Sequence, residues 1–336
     1  MLDVYSISNA LVDLEYEIPE RALEELGVKK GSSIILNRLE FMLIKQKITS
    51  HFTLRGTMPA GSVYNSMAAL RSLGGNVYMS FSLSQDNEGE AYLRKLNAAK
   101  MGHIYENRPL KKGETGQCLV LITPDCERTM ITYLGCNSEL STLDLNEAKI
   151  IRARYLFIEG YLVADDQTYK TILAAIGIAV KNKVSIALTL SDASLIRNFH
   201  ERFRHIIETS NINLIFANAS ELCAYTEQTD LTCAVVSIQK YVKKFSVTRG
   251  SDGAFLFDGK HFYHIPAFPA YEHSSVGAGD IFAGTLFYGI THGFPWSTAG
   301  YLASKMAALV VSQYGPALEP ELVQTALKHV THEAYE

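Results

Sequence analysis

Through its second half the chain alternates short apolar runs with helix-like stretches. Tyr155-Leu156-Phe157-Ile158-Glu159-Gly160 reads as a buried strand, and a helix is expected from about Asp166 to Lys181. Val184 to Leu190 is the next strand, ending near Asp192. Asn213-Leu214-Ile215-Phe216-Ala217 and Phe245-Ser246-Val247-Thr248 are further strands, each preceded by a helical stretch. Runs this apolar, separated by helices, predict an α/β protein whose mostly parallel sheet is covered by helices on both faces. Ligands of such sheets bind beyond the carboxyl ends of the strands. Gly160, Asp192, Asn218 and Gly250 fall at those ends.

Two regions break the rhythm. Residues 14–55 hold a short helix at Glu20 to Leu26 and otherwise extended pieces. Residues 114–134 read as a hairpin: Gln117 to Ile122, a turn at Thr123-Pro124-Asp125, then Arg128 to Tyr133. A second hairpin is expected around Asp258-Gly259, a two-residue turn signal between Phe255-Leu256-Phe257 and His261-Phe262-Tyr263. Two helices, roughly Trp296 to Gln313 and Glu319 to His329, close the chain.

Composition narrows the function classes. The 336 residues are 47% hydrophobic and 20% charged, ordinary for a globular protein. A net charge of −4 argues against a general nucleic-acid binder, which needs a basic face. The apolar run Ile172 to Val180 is too short to span a bilayer, and Met1-Leu2-Asp3-Val4-Tyr5 enters a strand-like pattern without a signal peptide. The expectation is no membrane partner. The five cysteines are scattered without a C-x-x-C pair, which predicts reduced thiols in a cytoplasmic protein. His200 and His205 are five apart and leave one helix face, so they do not form a zinc-protease motif. No P-loop signature occurs.

The richest chemistry lies in Ser274-Ser275-Val276-Gly277-Ala278-Gly279-Asp280-Ile281-Phe282-Ala283-Gly284, where a loop turns into an apolar, Ala/Gly-rich helix. The first amides of a helix lack internal partners and carry partial positive charge. Glycines let the backbone close on an anion. A carboxylate beside that anion site, Asp280, suits proton abstraction from an attacking hydroxyl during phosphoryl transfer. Asp280 as a plain helix cap, and Gly277, Ala278 and Gly279 as a plain turn, are the structural alternatives.

The same segment resembles the second signature of the PfkB carbohydrate kinases, the ribokinase and adenosine kinase family. Ala60-Gly61-Ser62-Val63-Tyr64-Asn65, running on to Leu73-Gly74-Gly75, is similar to that family's first signature. Ser8 to Asp13 looks like its opening strand and substrate-binding aspartate, Asn218-Ala219-Ser220-Glu221 like its N-x-x-E motif, and Val247 to Ala254 like its nucleotide-binding strand and turn. The matches keep their order from about residue 3 to residue 320. The resemblance implies a ribokinase-like fold with its core in 1–13, 56–113 and 135–336, and a small β lid in 14–55 and 114–134. It implies ATP and Mg2+ as cofactors. Asp280 would be the base, and Gly277, Ala278 and Gly279 the anion hole. Asp13, Gly61 and Asn65 would bind the acceptor, and Asn218, Thr248, Gly250 and Gly253 the nucleotide. Glu221 would act on the metal through water, with Asn218 as helix cap and Glu221 as its capping-box partner the structural alternative. Arg249 reads as a solvated surface arginine, with pairing to phosphate charge the alternative. Ser274 stands where the family usually has Asp, which puts activation by a monovalent cation in doubt.

Asn9 to Asp13, Glu127 to Met130 and Glu159 to Leu162 look most like the adenosine kinase-like branch. The expected activity is phosphorylation of a primary hydroxyl of a nucleoside. The alternatives are a kinase of a free sugar such as ribose or fructose, and a non-catalytic nucleoside binder on a kinase fold. A small molecule is the expected partner, and the family also admits a homodimer through the lid.

Overall fold

The computed structural model describes residues 1–125, 127–270, 277–312 and 320–333. Strand β1 (Leu2–Ile7) opens a central sheet, and the chain then leaves for a second one. There it forms β2 (Leu11–Glu17), α1 (Glu20–Leu26), β3 (Ser33–Ile35), α2 (Arg38–His51) and β4 (Leu54–Ala60). It returns to the core with α3 (Ser62–Ser72), β5 (Val77–Ser80), α4 (Asn87–Ala98) and β6 (Gly102–His103). The hairpin β7 (Gly116–Ile122) and β8 (Arg128–Tyr133) joins the second sheet. The rest builds the core: α5 (Glu147–Ile150), β9 (Ala153–Glu159), α6 (Asp166–Lys181), β10 (Ser185–Thr189), α7 (Ala193–Asn198), α8 (His200–Thr209), β11 (Leu214–Asn218), α9 (Ala219–Thr226) and α10 (Leu231–Ile238). Then come β12 (Phe245–Thr248), β13 (Ala254–Phe257), β14 (Phe262–Ile265), α11 (Ala278–Thr291), α12 (Trp296–Val311) and α13 (Pro320–Glu333).

Among the described residues the central sheet has nine strands in the order β14-β13-β12-β11-β10-β9-β1-β5-β6. It is parallel from β12 to β6, with the β13–β14 hairpin added antiparallel at one edge. Alternation along the strands feeds two cores. Val4, Phe157, Leu214 and Phe216 meet α3 and α11 on one face, through Val63, Met67 and Phe287. Tyr5, Leu156, Ile158, Ile186 and Leu188 meet α6 and α8 on the other, through Ile172, Ala175 and Phe203. No helix among the described residues is long and apolar enough to cross a membrane.

The second sheet runs β3-β8-β7-β2-β4. Val12, Leu14, Tyr16, Leu119, Leu121 and Ile131 pack beneath α1 and α2, against Leu23, Phe41 and Ile48. Strand alternation and register leave Asp13, Glu15, Cys118, Arg128 and Met130 on the opposite face.

Three expectations need correction. Residues 11–13 and 56–60 lie in the second sheet, not in the core to which the sequence reading assigned them. The segment read as extended pieces holds the 14-residue helix α2. Its start was encoded: Asn37 and Glu40 form a reciprocal capping box, with Phe41 and Ile48 turned inward. The loop at Asp258-Gly259 is four residues long, since Phe257 pairs with Phe262. Asp258 holds it by accepting the amides of Lys260 and His261, each at 2.7 Å.

Helices α3 and α11 touch at a glycine. A Cβ on Gly284 would lie 2.0 Å from the carbonyl oxygen of Ser66. Any side chain there forces the helices apart, and overpacking of this kind costs about 1–3 kcal/mol. Gly284→Ala is therefore expected to lower the unfolding free energy by about that amount in urea denaturation. An unchanged midpoint would mean the contact is looser than described.

Candidate active site

The carboxyl ends of β9 to β12 and the start of α11 converge on one opening. Helix α11 begins at Ala278, after Gly277 in a left-handed conformation with φ 81°. That conformation favours glycine. Asp280 is thus the third residue of the helix and not its cap. Its carboxylate turns to α3: Ser62 Oγ donates to Oδ1 at 2.5 Å, and Asn65 Nδ2 donates to Oδ2 at 2.9 Å. Burial pushes the Asp280 carboxyl up to about 6, against the pull of these two hydrogen bonds. Asn65 is buried, and its Oδ1 has no partner. The first-turn amides of Ala278 and Gly279 have no acceptor within the helix. A Cβ on Gly279 would meet nothing within 4 Å.

Two cavities flank this helix start. A small one of about 90 Å³ is lined by Ser62, Ser66, Thr189, Glu221 and Asp280, with the buried, unpartnered hydroxyl of Ser246 on its wall. The other, of about 710 Å³, is lined by Thr248, Gly250, Gly253, Phe268, Gly279 and Ala307. Its volume falls in the range of cofactor-sized sites. Asn218 borders both.

At the head of α9, Asn218 and Glu221 form a complete capping box. Asn218 Oδ1 accepts the Glu221 amide at 2.9 Å. Glu221 Oε2 accepts the Asn218 amide at 2.9 Å, and Oε1 accepts from Asn218 Nδ2 at 2.7 Å. The pair caps the helix, with Asn218 at the edge of both cavities and Glu221 on the wall of the small one. Burial raises the Glu221 carboxyl to about 7, helped by the charges of Asp192 and Asp280.

Two glycines have a structural reason independent of any ligand. Gly61 has φ 124°, and a Cβ there would lie 2.8 Å from the Asn9 carbonyl oxygen. A Cβ on Gly253 would lie 2.0 Å from the Ile265 carbonyl oxygen. Arg249 stays on the turn: its guanidinium lies 4.1 Å from the Phe255 ring centroid and donates to His264 Nε2 at 2.6 Å. Asp13 departs from expectation in place. It sits on β2 of the lid sheet, not at the end of a core strand. It still shares the electrostatics of the site, because burial, then Glu15 and Asp280, push its carboxyl to about 7 against Arg128. Ser274 lies outside the described residues, as does Cys126.

Comparison with known proteins fits this geometry. Residues 45–322 match the pfkB family of carbohydrate kinases. The chain belongs to that family. The adenosine kinase of Saccharomyces cerevisiae is 23% identical over 338 residues, covering 94% of this chain and 97% of its own. An uncharacterized sugar kinase of Escherichia coli strain K12 is 23% identical over 280 residues, covering 80% of this chain and 83% of its own. The crystal structure of the adenosine kinase from Sinorhizobium meliloti superposes with a TM-score of 0.90 at 26% identity, covering 98% of this chain and 99% of its own. This pfkB protein is accordingly an ATP-dependent kinase with a small-molecule acceptor and the ribokinase-like fold.

The sequence reading missed Ser62 and Glu159 in this kinase. Ser62 stands one residue after the glycine of the first signature, where the first helical turn aims it at Asp280. Glu159 is a lone acid ending the apolar run Leu156-Phe157-Ile158, and it is 1% exposed. Its burial, with the charge of Asp280, raises its carboxyl to about 7.

The raised Asp280 carboxyl has a consequence for stability. The folded state holds that proton more tightly than the unfolded chain, so protonation favours folding. The group's stabilising contribution is full below about pH 4 and is lost as pH rises through about 6. Asp280→Asn is expected to be more stable than the parent at pH 8, on the order of 1–3 kcal/mol, with the gain fading below pH 5. Urea unfolding at both pH values measures it. A variant less stable at pH 8 would contradict the raised carboxyl.

Proposed function

We propose that this kinase transfers the γ-phosphoryl group of ATP to a primary hydroxyl of a nucleoside, adenosine first, with Asp280 as general base. The observation that carries the reading is the Asp280 carboxylate, held by Ser62 and Asn65 beside the open amides of Ala278 and Gly279. A carboxyl near 6 is mostly ionised at neutral pH, yet basic enough to receive a proton as the new bond forms. The acceptor oxygen would give its proton to Asp280 and bond to the γ-phosphorus. The bond from γ-phosphorus to the bridging oxygen would break, and the electron pair would leave with ADP. The amides of Gly277, Ala278 and Gly279 would stabilise the transferring group.

Asn65 Oδ1, lacking a partner, would accept from an acceptor hydroxyl. Asp13 would bind a second hydroxyl from the lid side, and Gly61 would let the chain pass close to both. Thr248, Gly250 and Gly253 would line the nucleotide, with Asn218 at the phosphate end. Mg2+, where bound, would supply neutralisation of phosphate charge. Both Glu221 oxygens are engaged by Asn218, so Glu221 would hold the ion through its water shell, which magnesium readily keeps. Lid closure would exclude water from the site.

Similarity to adenosine kinases along nearly the whole chain supports the nucleoside acceptor. Similarity to a sugar kinase supports a free sugar as the second reading. The binder reading rests on Ser274 alone, which lies outside the described residues, and a binder needs no base. The test is acceptor-dependent ADP release with magnesium-ATP over nucleosides and free sugars. Adenosine or a related nucleoside is expected to be the best acceptor, and turnover confined to free sugars would reverse the order. Asp280→Asn is expected to lower kcat by at least about 10²-fold while ATP binding persists. Retained turnover in that variant would sink the base assignment.

A homodimer through the lid belongs to the same reading, supported by exposed Ile35 and Leu54 on the lid strands β3 and β4. Sedimentation velocity would show a dimer, and a monomer at assay and higher concentrations would exclude it.

A further inference from the structure

We propose that the cleft where the β13–β14 loop meets the start of α12 is a second nucleotide site. It would take a nucleoside phosphate with its base against Trp296 and its phosphates among lysines. The cleft holds about 700 Å³, the size of a small-molecule site. Lys243 and Lys244 line it from the turn before β12, Lys260 from the β13–β14 loop, and Trp296 from the first turn of α12. It shares no lining residue with the two cavities beside Asp280. Those reach Thr248, at the carboxyl end of β12, whereas Lys243 and Lys244 precede the strand's first residue, Phe245. The site therefore goes beyond the kinase reading, which puts ATP at the other end of that strand.

Positive charge and an aromatic ring meet in this cleft, in a chain whose net charge is −4. Among the described residues the three lysines have no carboxylate partner. The cleft's acid, Asp258, is engaged within its own loop: Oδ1 accepts the Lys260 and His261 amides, each at 2.7 Å, and Oδ2 accepts the Tyr263 hydroxyl at 2.9 Å. Helix α12 adds to the field. Its N-cap is Pro295, which offers no side-chain cap, and no acid stands in its first turn. The positive end of its dipole is therefore uncompensated at the cleft. Lysine holds phosphate as a point charge, so three of them beside a helix start suit a phosphorylated ligand. Trp296 is partly exposed, with Lys244 Nζ 5.6 Å from its ring centroid. An indole open to a cleft offers stacking area to a planar base. The volume exceeds what inorganic phosphate would fill and admits a base, its sugar and its phosphates. A nucleic acid fits less well, because three lysines do not make the extended basic face it needs.

Trp296 is the single tryptophan of the chain, so tryptophan fluorescence reads the cleft directly. The probe is ADP, titrated into the full-length wild type and into a variant carrying Lys243→Gln, Lys244→Gln and Lys260→Gln. A saturable change in emission is expected in the wild type, with the apparent Kd at least tenfold higher in the variant. Adenosine and inorganic phosphate, each offering half of the recognition, should bind at least tenfold more weakly than ADP. Equilibrium dialysis should find two ADP per chain in the wild type and one in the variant. Acceptor-dependent ADP release should keep its kcat within twofold in the variant, which also shows that it folds. Should the triple variant fail to fold, Lys260→Gln alone, an exposed loop substitution, is expected to raise the Kd at least threefold. Emission unmoved by ADP, with one ADP per chain in both proteins, would overturn the proposal. So would an equal response in wild type and variant, which would place that ADP elsewhere. Equal affinity for inorganic phosphate would overturn it in favour of a simple anion site, and tighter binding of a short oligodeoxythymidylate in favour of a nucleic-acid face. One ADP per chain in the wild type and none in the variant would leave the cleft standing and count against the kinase reading alone.

Discussion

The site depends on one close approach of two helices. Gly284 of α11 lies against the backbone of Ser66 in α3, and no residue with a side chain fits there without moving one of them. Because the helices touch, Ser62 and Asn65 on the first turns of α3 reach the carboxylate of Asp280 on the first turn of α11. Both helices start beside the strand ends, so their free amides and short polar side chains share one small volume. The hydrogen bonds lower the carboxyl while burial raises it, and the balance leaves it near 6. A wider helix spacing would give up the hydrogen bonds and keep the burial.

The acids around that point are unusual in number. Asp13, Glu159, Glu221 and Asp280 are all raised, chiefly by burial, and the charge of Asp280 contributes to the shift of the other three. Among the described residues Arg128, in a long 3.6 Å pair with Glu15, brings positive charge toward Asp13. Clusters of perturbed carboxyls at the mouth of a cavity are a mark of functional sites, and they reduce stability at neutral pH.

Much of this was legible in the sequence because it is local. The strands β9 to β12 announce themselves as apolar runs, and the helix after Gly277 follows from a loop that becomes Ala/Gly-rich. What was not legible is long-range. Asp13 reads as the end of an opening strand until the pairing of β2 with β4 and β7 places it in the lid. Nothing near residue 62 indicates that its hydroxyl meets a carboxylate more than two hundred residues later. Helix α2 is a different failure, since Asn37 and Glu40 spelled its start. Its polar, weakly periodic exterior, with Leu39 and Leu43 exposed, hid the rest.

The threading of the chain between its two sheets has a kinetic consequence. The backbone crosses from core to lid and back twice, so the lid is not an insertion that could collapse on its own. Strand β2, at residues 11–17, finds its parallel neighbour only when residues 116–122 arrive, after α3, β5, α4 and β6 have gone into the core. Closing such long loops costs entropy before the contacts repay it, and non-local pairing slows folding. The lid sheet cannot be finished until part of the core exists, and β1 waits for β9 beyond the second lid excursion. The two layers must therefore mature together, and a nascent chain stopped before β7 would hold β2 and β4 with one side of their sheet unpaired.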